Sequence, residues 1–259
     1  MACMVVASKP ISENSSAAAC RKPASRRAER SCLGAMRTEL DEIEDTLILV
    51  NINRGYTRLQ AYFLKHPLLI MSDLYLDSRK TALIAIDLQN AIMGIRTAPY
   101  SATEVVQRNR QIADQLRAQG GLVVWVRVNL KQFIQLPIDE PSPLAGKPLP
   151  DELSEIAPSA GFQDGDLLVT KRHWGAFAGT PLEQELRSRG IDTVVLTGVS
   201  TNGGVESTLR QGTGLGLGFV VVEDACSGQD AEEHRFAFER IFPRLARVRT
   251  AEEVLKALA

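Results

Sequence analysis

The chain has 259 residues, a formal net charge of −1, 44% apolar residues and 24% charged ones. That balance is ordinary for a globular protein and offers no electrostatic case for nucleic acid or an anionic membrane surface as a partner. No apolar run approaches the ~20 residues that span a bilayer; Thr46 to Val50 and Pro67 to Met71 are far too short.

Residues 1–37 are rich in Ala, Ser and Arg and show neither helical nor strand periodicity. Such a stretch cannot bury enough apolar surface to offset its ordering entropy, which predicts a disordered basic tail. Its composition also fits an organelle transit peptide, and Met71 offers an alternative start directly before the first strong strand. Residues 38–71 form a less defined extension, with a strand candidate at Leu47–Val50 and a short amphipathic helix candidate at Tyr56–Leu64. Of four cysteines, Cys3, Cys20 and Cys32 lie in the tail and Cys226 stands alone in the body. A lone cysteine cannot staple a domain, so a reducing, cytoplasmic setting is expected and stability must come from the core.

From Thr81 onward, apolar runs alternate with helical stretches. Strands are predicted at Ala82–Ile86, Leu122–Val128, Asp166–Val169, Thr193–Thr197, Phe219–Val222 and, more weakly, Ala246–Val248. Helices are predicted at Ala102–Gln119, Pro181–Arg189, Thr201–Gln211, Ala231–Phe242 and Ala251–Leu258. The runs Leu122–Val128 and Val194–Thr197 are continuous rather than alternating, as in strands covered on both faces. Boundary signals agree: Gly120-Gly121 and Gly190 close helices, Thr180-Pro181 opens one, and Thr250 with Glu253 forms a capping box. The predicted fold over residues 72–259 is therefore α/β, a doubly wound three-layer α/β/α sandwich around a six-stranded, mainly parallel sheet. The proline-rich segment 129–165 is predicted to be an irregular excursion over the strand ends.

Ligands in such sheets bind beyond the carboxyl ends of the strands, where strand order reverses. The residues just past the apolar runs are Asp87 after the first, Lys171 after the third, and Gly198-Val-Ser-Thr-Asn-Gly-Gly204 after the fourth. Each has an ordinary structural explanation: a turn-forming Asp, a solvated Lys, glycines for close packing. Gly212 to Gly218 imitates a nucleotide loop, but its spacing is wrong and it precedes a strand, so these glycines are read as ending the preceding helix early.

Taken together, Ala82-Leu-Ile-Ala-Ile-Asp-Leu-Gln-Asn90, the stretch from Lys171 to Thr208 and Val220-Val-Val-Glu-Asp-Ala-Cys-Ser-Gly228 resemble the isochorismatase-like hydrolase superfamily, from about Thr81 to Leu258. The resemblance implies a Rossmann-like hydrolase domain. It places the family's acid at Asp87, its lysine at Lys171 and its nucleophilic cysteine at Gly204, with a cis peptide at Val199–Ser200. Ser200, Asn202 and Gly203 would line the substrate, and Trp174 and Phe177 would wall the pocket. Glycine has no side chain, so the covalent route of the cysteine branch is closed, and the cysteine-less branch is the better parallel. There the Asp is a general acid, which requires burial to raise its pKa against the pull of Lys171. No metal or other cofactor is expected: Arg127-Val-Asn-Leu130 stands where metal-dependent nicotinamidases carry Asp-x-His. Cys226 lies one strand too far along to replace the nucleophile, and Arg127 and Glu206 are candidate contacts by proximity alone. The expected partner is a small-molecule substrate, and the resemblance also implies a homo-oligomer. The alternative function is a non-catalytic metabolite-binding or scaffold protein derived from a cysteine hydrolase.

Overall fold

The computed structural model describes residues 74–141 and 147–258. The expectations for the tail, for Leu47–Val50 and for Tyr56–Leu64 lie outside the described residues. Six strands form one sheet: β1 (Thr81–Ile86), β2 (Leu122–Val128), β3 (Leu167–Lys171), β4 (Thr193–Val199), β5 (Gly218–Ser227) and β6 (Arg247–Arg249). Their spatial order is β3-β2-β1-β4-β5-β6, and every pairing is parallel. The order reverses between β1 and β4, where the crossovers part to either side.

The continuous apolar runs behave as their composition requires. Alternate residues of the central strands feed two separate cores. One face carries Ala82, Ile84, Ile86, Val124, Val126 and Val169 against helix α3 (Leu182–Ser188), helix α4 (Glu206–Gly214) and Phe238 and Phe242. The other carries Leu83, Ala85, Val123, Trp125, Val195 and Val220 against helix α2 (Ala102–Ala118) and helix α6 (Ala251–Ala257). A short helix, α1 (Asn90–Met93), follows β1, and α5 (Ala231–Phe236) follows β5.

Local signals account for most element ends. Ser101 and Glu104 form a capping box at α2, and Thr250 and Glu253 form the predicted one at α6. Gly120 and Gly190 adopt φ values of +75° and +67° just past their helices. At α3 the helix begins at Leu182, one residue after Pro181, with Thr180 Oγ1 accepting from Leu182 N at 3.3 Å.

Three expectations need correction. The helix after β4 does not stop before its glycines but runs through Gly212 and Gly214. A Cβ at Gly212 would run into the Phe219 ring and come within 3.0 Å of Phe177 Cε2, so this glycine brings helix and sheet together. Strand β5 continues past Val222 to Ser227, because Asp224 is taken up by Arg108 at 3.5 Å and by the Ala251 amide at 2.7 Å. The single helix expected over Ala231–Phe242 is three short pieces: α5, a π-type turn over Ala237–Ile241 and a 3₁₀ turn over Phe242–Arg244 at Pro243.

Candidate active site

Asp87 directly follows β1. Strand alternation would send it to the face of Leu83 and Ala85. Its backbone instead turns left-handed, with φ of +54°, the one non-glycine residue with positive φ among the described residues. Such a conformation costs a non-glycine residue about 1–3 kcal/mol. The turn brings the carboxylate to the face of Val169 and Lys171, where Oδ2 lies 2.8 Å from Lys171 Nζ. Lys171 ends β3, two strands away, and its long side chain crosses β2 to reach the acid.

This pair is almost wholly enclosed: Lys171 is 2% exposed and Asp87 9%. Lys171 also donates to the Trp174 carbonyl at 2.7 Å, which uses two of its three N–H donors. Asp87 Oδ1 is buried without a hydrogen-bond partner among the described residues. Burial raises the Asp87 pKa above the usual carboxylate range, against the opposing pull of the Lys171 charge. The carboxyl therefore holds a proton more readily than an exposed Asp.

The third component comes from β4. After Val199, whose bond to Ser200 is cis as the resemblance implied, the chain makes a π-type turn over Thr201–Val205 and enters α4. The turn brings Gly204 against the pair. A Cβ added there would sit 3.2 Å from both Asp87 Oδ2 and Lys171 Nζ, and 2.8 Å from Ile86 Cγ2. The glycine is pinned from below: Thr208 Oγ1 donates to its carbonyl at 2.7 Å and accepts from Ala176 N at 3.0 Å.

The other residues singled out from sequence divide. Gly203 lies beneath the Trp174 ring, whose Cζ3 would be 3.1 Å from a Cβ there. Trp174 is 58% exposed and meets Phe133 edge-on at 5.6 Å between centroids, so the excursion 129–165 does reach this rim. Ser200 and Asn202 lie together, joined by a 3.0 Å hydrogen bond. Phe177 belongs to the hydrophobic core, packed toward Gly212 and Phe219, not to the rim. Arg127 is drawn away to Glu155 and Thr170 on the opposite face, and Glu206 is held by Arg210 at 2.8 Å. Cys226 is buried in β5 beside Gly198, and burial pushes its thiol pKa up, so it offers no thiolate.

Two contributions were not legible in the sequence. The Trp174 backbone carbonyl, not its ring, holds Lys171. Gln89 ties the ends of β1 and β2 to the excursion, accepting from Val128 N at 2.9 Å and donating to Leu153 O at 3.1 Å. A polar residue three places past the end of β1 was the available signal. Among the described residues, no three His, Cys, Asp or Glu side chains converge in a way that could hold a metal ion. No helix of the described residues is long and apolar enough to cross a membrane.

The domain that holds this site is similar to known proteins. The family model for the isochorismatase domain matches residues 81–253. An isochorismatase family protein of Escherichia coli O157:H7, YecD, is 46% identical over 189 residues, covering 71% of this chain and all of its own. YwoC of Bacillus subtilis, from the same family, is 40% identical over 190 residues, covering 72% of this chain and 98% of its own. The structure of an isochorismatase family protein from Burkholderia thailandensis is 39% identical with a TM-score of 0.68, covering 72% of this chain and 99% of that one. The chain belongs to the isochorismatase family of hydrolases.

Proposed function

We propose that this chain hydrolyses a small polar substrate by acid–base chemistry shared between Asp87 and Lys171, without a covalent intermediate. One observation carries this: the position that touches both members of the buried pair is Gly204, which has no side chain to act as nucleophile. Asp87, its pKa raised by burial against the pull of Lys171, supplies the proton. Lys171 keeps one N–H beyond those given to Asp87 and the Trp174 carbonyl, and this donor binds a substrate carboxylate. The turn residues Ser200, Asn202 and Gly203 line the substrate, and Trp174 walls it from the side of Phe133.

A vinyl ether suits this arrangement. Asp87 gives its proton to the terminal alkene carbon, and the ether oxygen shares the resulting positive charge. Water adds to the cationic carbon and returns a proton to the carboxylate. The hemiketal then breaks its carbon–oxygen bond, leaving a ketone and an alcohol. One water is consumed and the acid is restored.

The test is turnover of isochorismate, simpler vinyl ethers and small amides by the purified protein, with intact mass recorded during the reaction. Vinyl ether hydrolysis with an unmodified protein mass is expected. A substrate-derived adduct on the chain would overturn the mechanism. Thermal stabilisation by these compounds with no product from any of them would instead make the chain a binding protein.

A further inference from the structure

The turn that carries Gly204 has no side-chain cap of its own at Ser200. Its first two residues are held from outside, both by the same short helix. Thr201, fully buried, has its Oγ1 2.8 Å from His234 Nδ1. Asn202 donates from Nδ2 to Glu233 Oε2 at 2.6 Å, and its Oδ1 accepts from Ser200 Oγ. Glu233 and His234 are consecutive on α5, so they project roughly 100° apart and grip the turn at two points.

The helix is itself fixed for this. Asp230 caps it by accepting from the amides of Glu232 and Glu233 at 2.7 and 3.0 Å. The His234 ring is 2% exposed, lies 4.6 Å from Phe238 and meets Tyr100 edge-on at 6.0 Å. A ring packed on two sides has little rotamer freedom left to lose, so its bond to Thr201 is preformed. Neither residue shares a hydrogen bond with the Asp87–Lys171 pair.

We propose that Glu233 and His234 are positioning residues that hold the Thr201–Val205 turn so that Gly204 closes over Asp87 and Lys171. The catalytic half of this rests on the hydrolase mechanism above; the positional half stands on the contacts alone.

The experiment compares His234→Leu with His234→Asn, which keeps a polar atom near the Nδ1 position, and Glu233→Ala with Glu233→Gln. Amide hydrogen exchange at Gly203, Gly204 and Val205 is read by NMR beside Leu83–Ile86 of β1, and isochorismate hydrolysis is measured in parallel. In the Leu and Ala variants the turn amides are expected to exchange about tenfold faster while β1 is unchanged. The kcat falls with KM nearly constant, and Asn and Gln restore both. Turn exchange that stays at the wild-type rate, or that rises equally in β1, overturns the proposal. If the wild-type protein turns over nothing, the hydrolase mechanism fails while exchange still decides the clamp. If His234→Leu does not fold, Glu233→Ala, on an exposed side chain, decides alone.

Discussion

Lys171 Nζ lies 2.8 Å from Asp87 Oδ2 in an enclosed site, while the other oxygen of that carboxyl, also buried, has no hydrogen-bond partner among the described residues. In the mechanism proposed above, this pair carries the proton transfer.

Breaking the pair should be costly. Replacing Lys171 with Met strands the carboxylate in its ionised form, at a cost of about 3–5 kcal/mol that shrinks as Asp87 takes up a proton. Urea unfolding measured against pH should show a loss that grows as pH rises. Removing both charges, as Asp87→Asn with Lys171→Gln, should cost less than the sum of the two single changes, because neither partner is then stranded.

The pH dependence has a definite sign. The acid form of Asp87 is the active one, and its folded pKa is raised by burial. Turnover should therefore fall as pH rises through that value, above the range where an ordinary carboxylate titrates. Between that value and the ordinary one the folded state binds the extra proton, so this group's contribution to stability grows as pH falls through the window and is lost above it. A wild-type minus Asp87→Asn difference in stability against pH isolates it.

Gly204 should not tolerate a side chain freely. A Cβ there meets Ile86 Cγ2 at 2.8 Å and fills the space beside the pair. Gly204→Ala should destabilise by about 1–3 kcal/mol as overpacking does, and turnover should fall with it. Adding Ile86→Ala relieves that contact but opens a cavity in the core, so it should restore neither the stability nor the activity, since the new methyl still occupies the reaction space. Gly204→Cys faces the same obstruction, so placing the thiol there should not by itself install an efficient amidase.

His234 carries a second pH signature of the opposite kind. Burial pushes its pKa down to about 4, against 6.5 for a free imidazole. As pH falls below 6.5 the unfolded chain takes up the proton first, so this histidine's contribution to stability is complete above 6.5 and is lost down to about 4. His234→Asn should flatten that part of the stability curve, as measured by denaturant unfolding across the range.

The sheet was legible because its cause is local. Runs such as Val194-Val-Leu-Thr197 are apolar on both faces, and only a strand covered on both sides uses them. Asp87, Lys171 and the turn at Gly204 could be placed at one sheet edge for the same reason. What could not be read was decided by tertiary contact. Gly212 stays in its helix because Phe219 needs the room, although its propensity argues for a stop. Asp87 joins Lys171 only through a left-handed backbone that strand periodicity would not suggest. Phe177 and Trp174, three residues apart in one loop, part company because the first finds the core and the second lies over Gly203. His234 is one of three histidines far apart in the sequence, and only the packing of α5 brings it to the turn.

The most direct test of the mechanism is the kcat of Asp87→Asn on a vinyl ether that the wild-type protein hydrolyses. Asn keeps the shape of the side chain and a donor for a substrate, but has no proton to give. The mechanism predicts a fall in kcat of about 10²-fold or more, as loss of a positioned general acid produces, with the protein still folded. Turnover at the wild-type rate would remove Asp87 from the chemistry and contradict the mechanism at its centre.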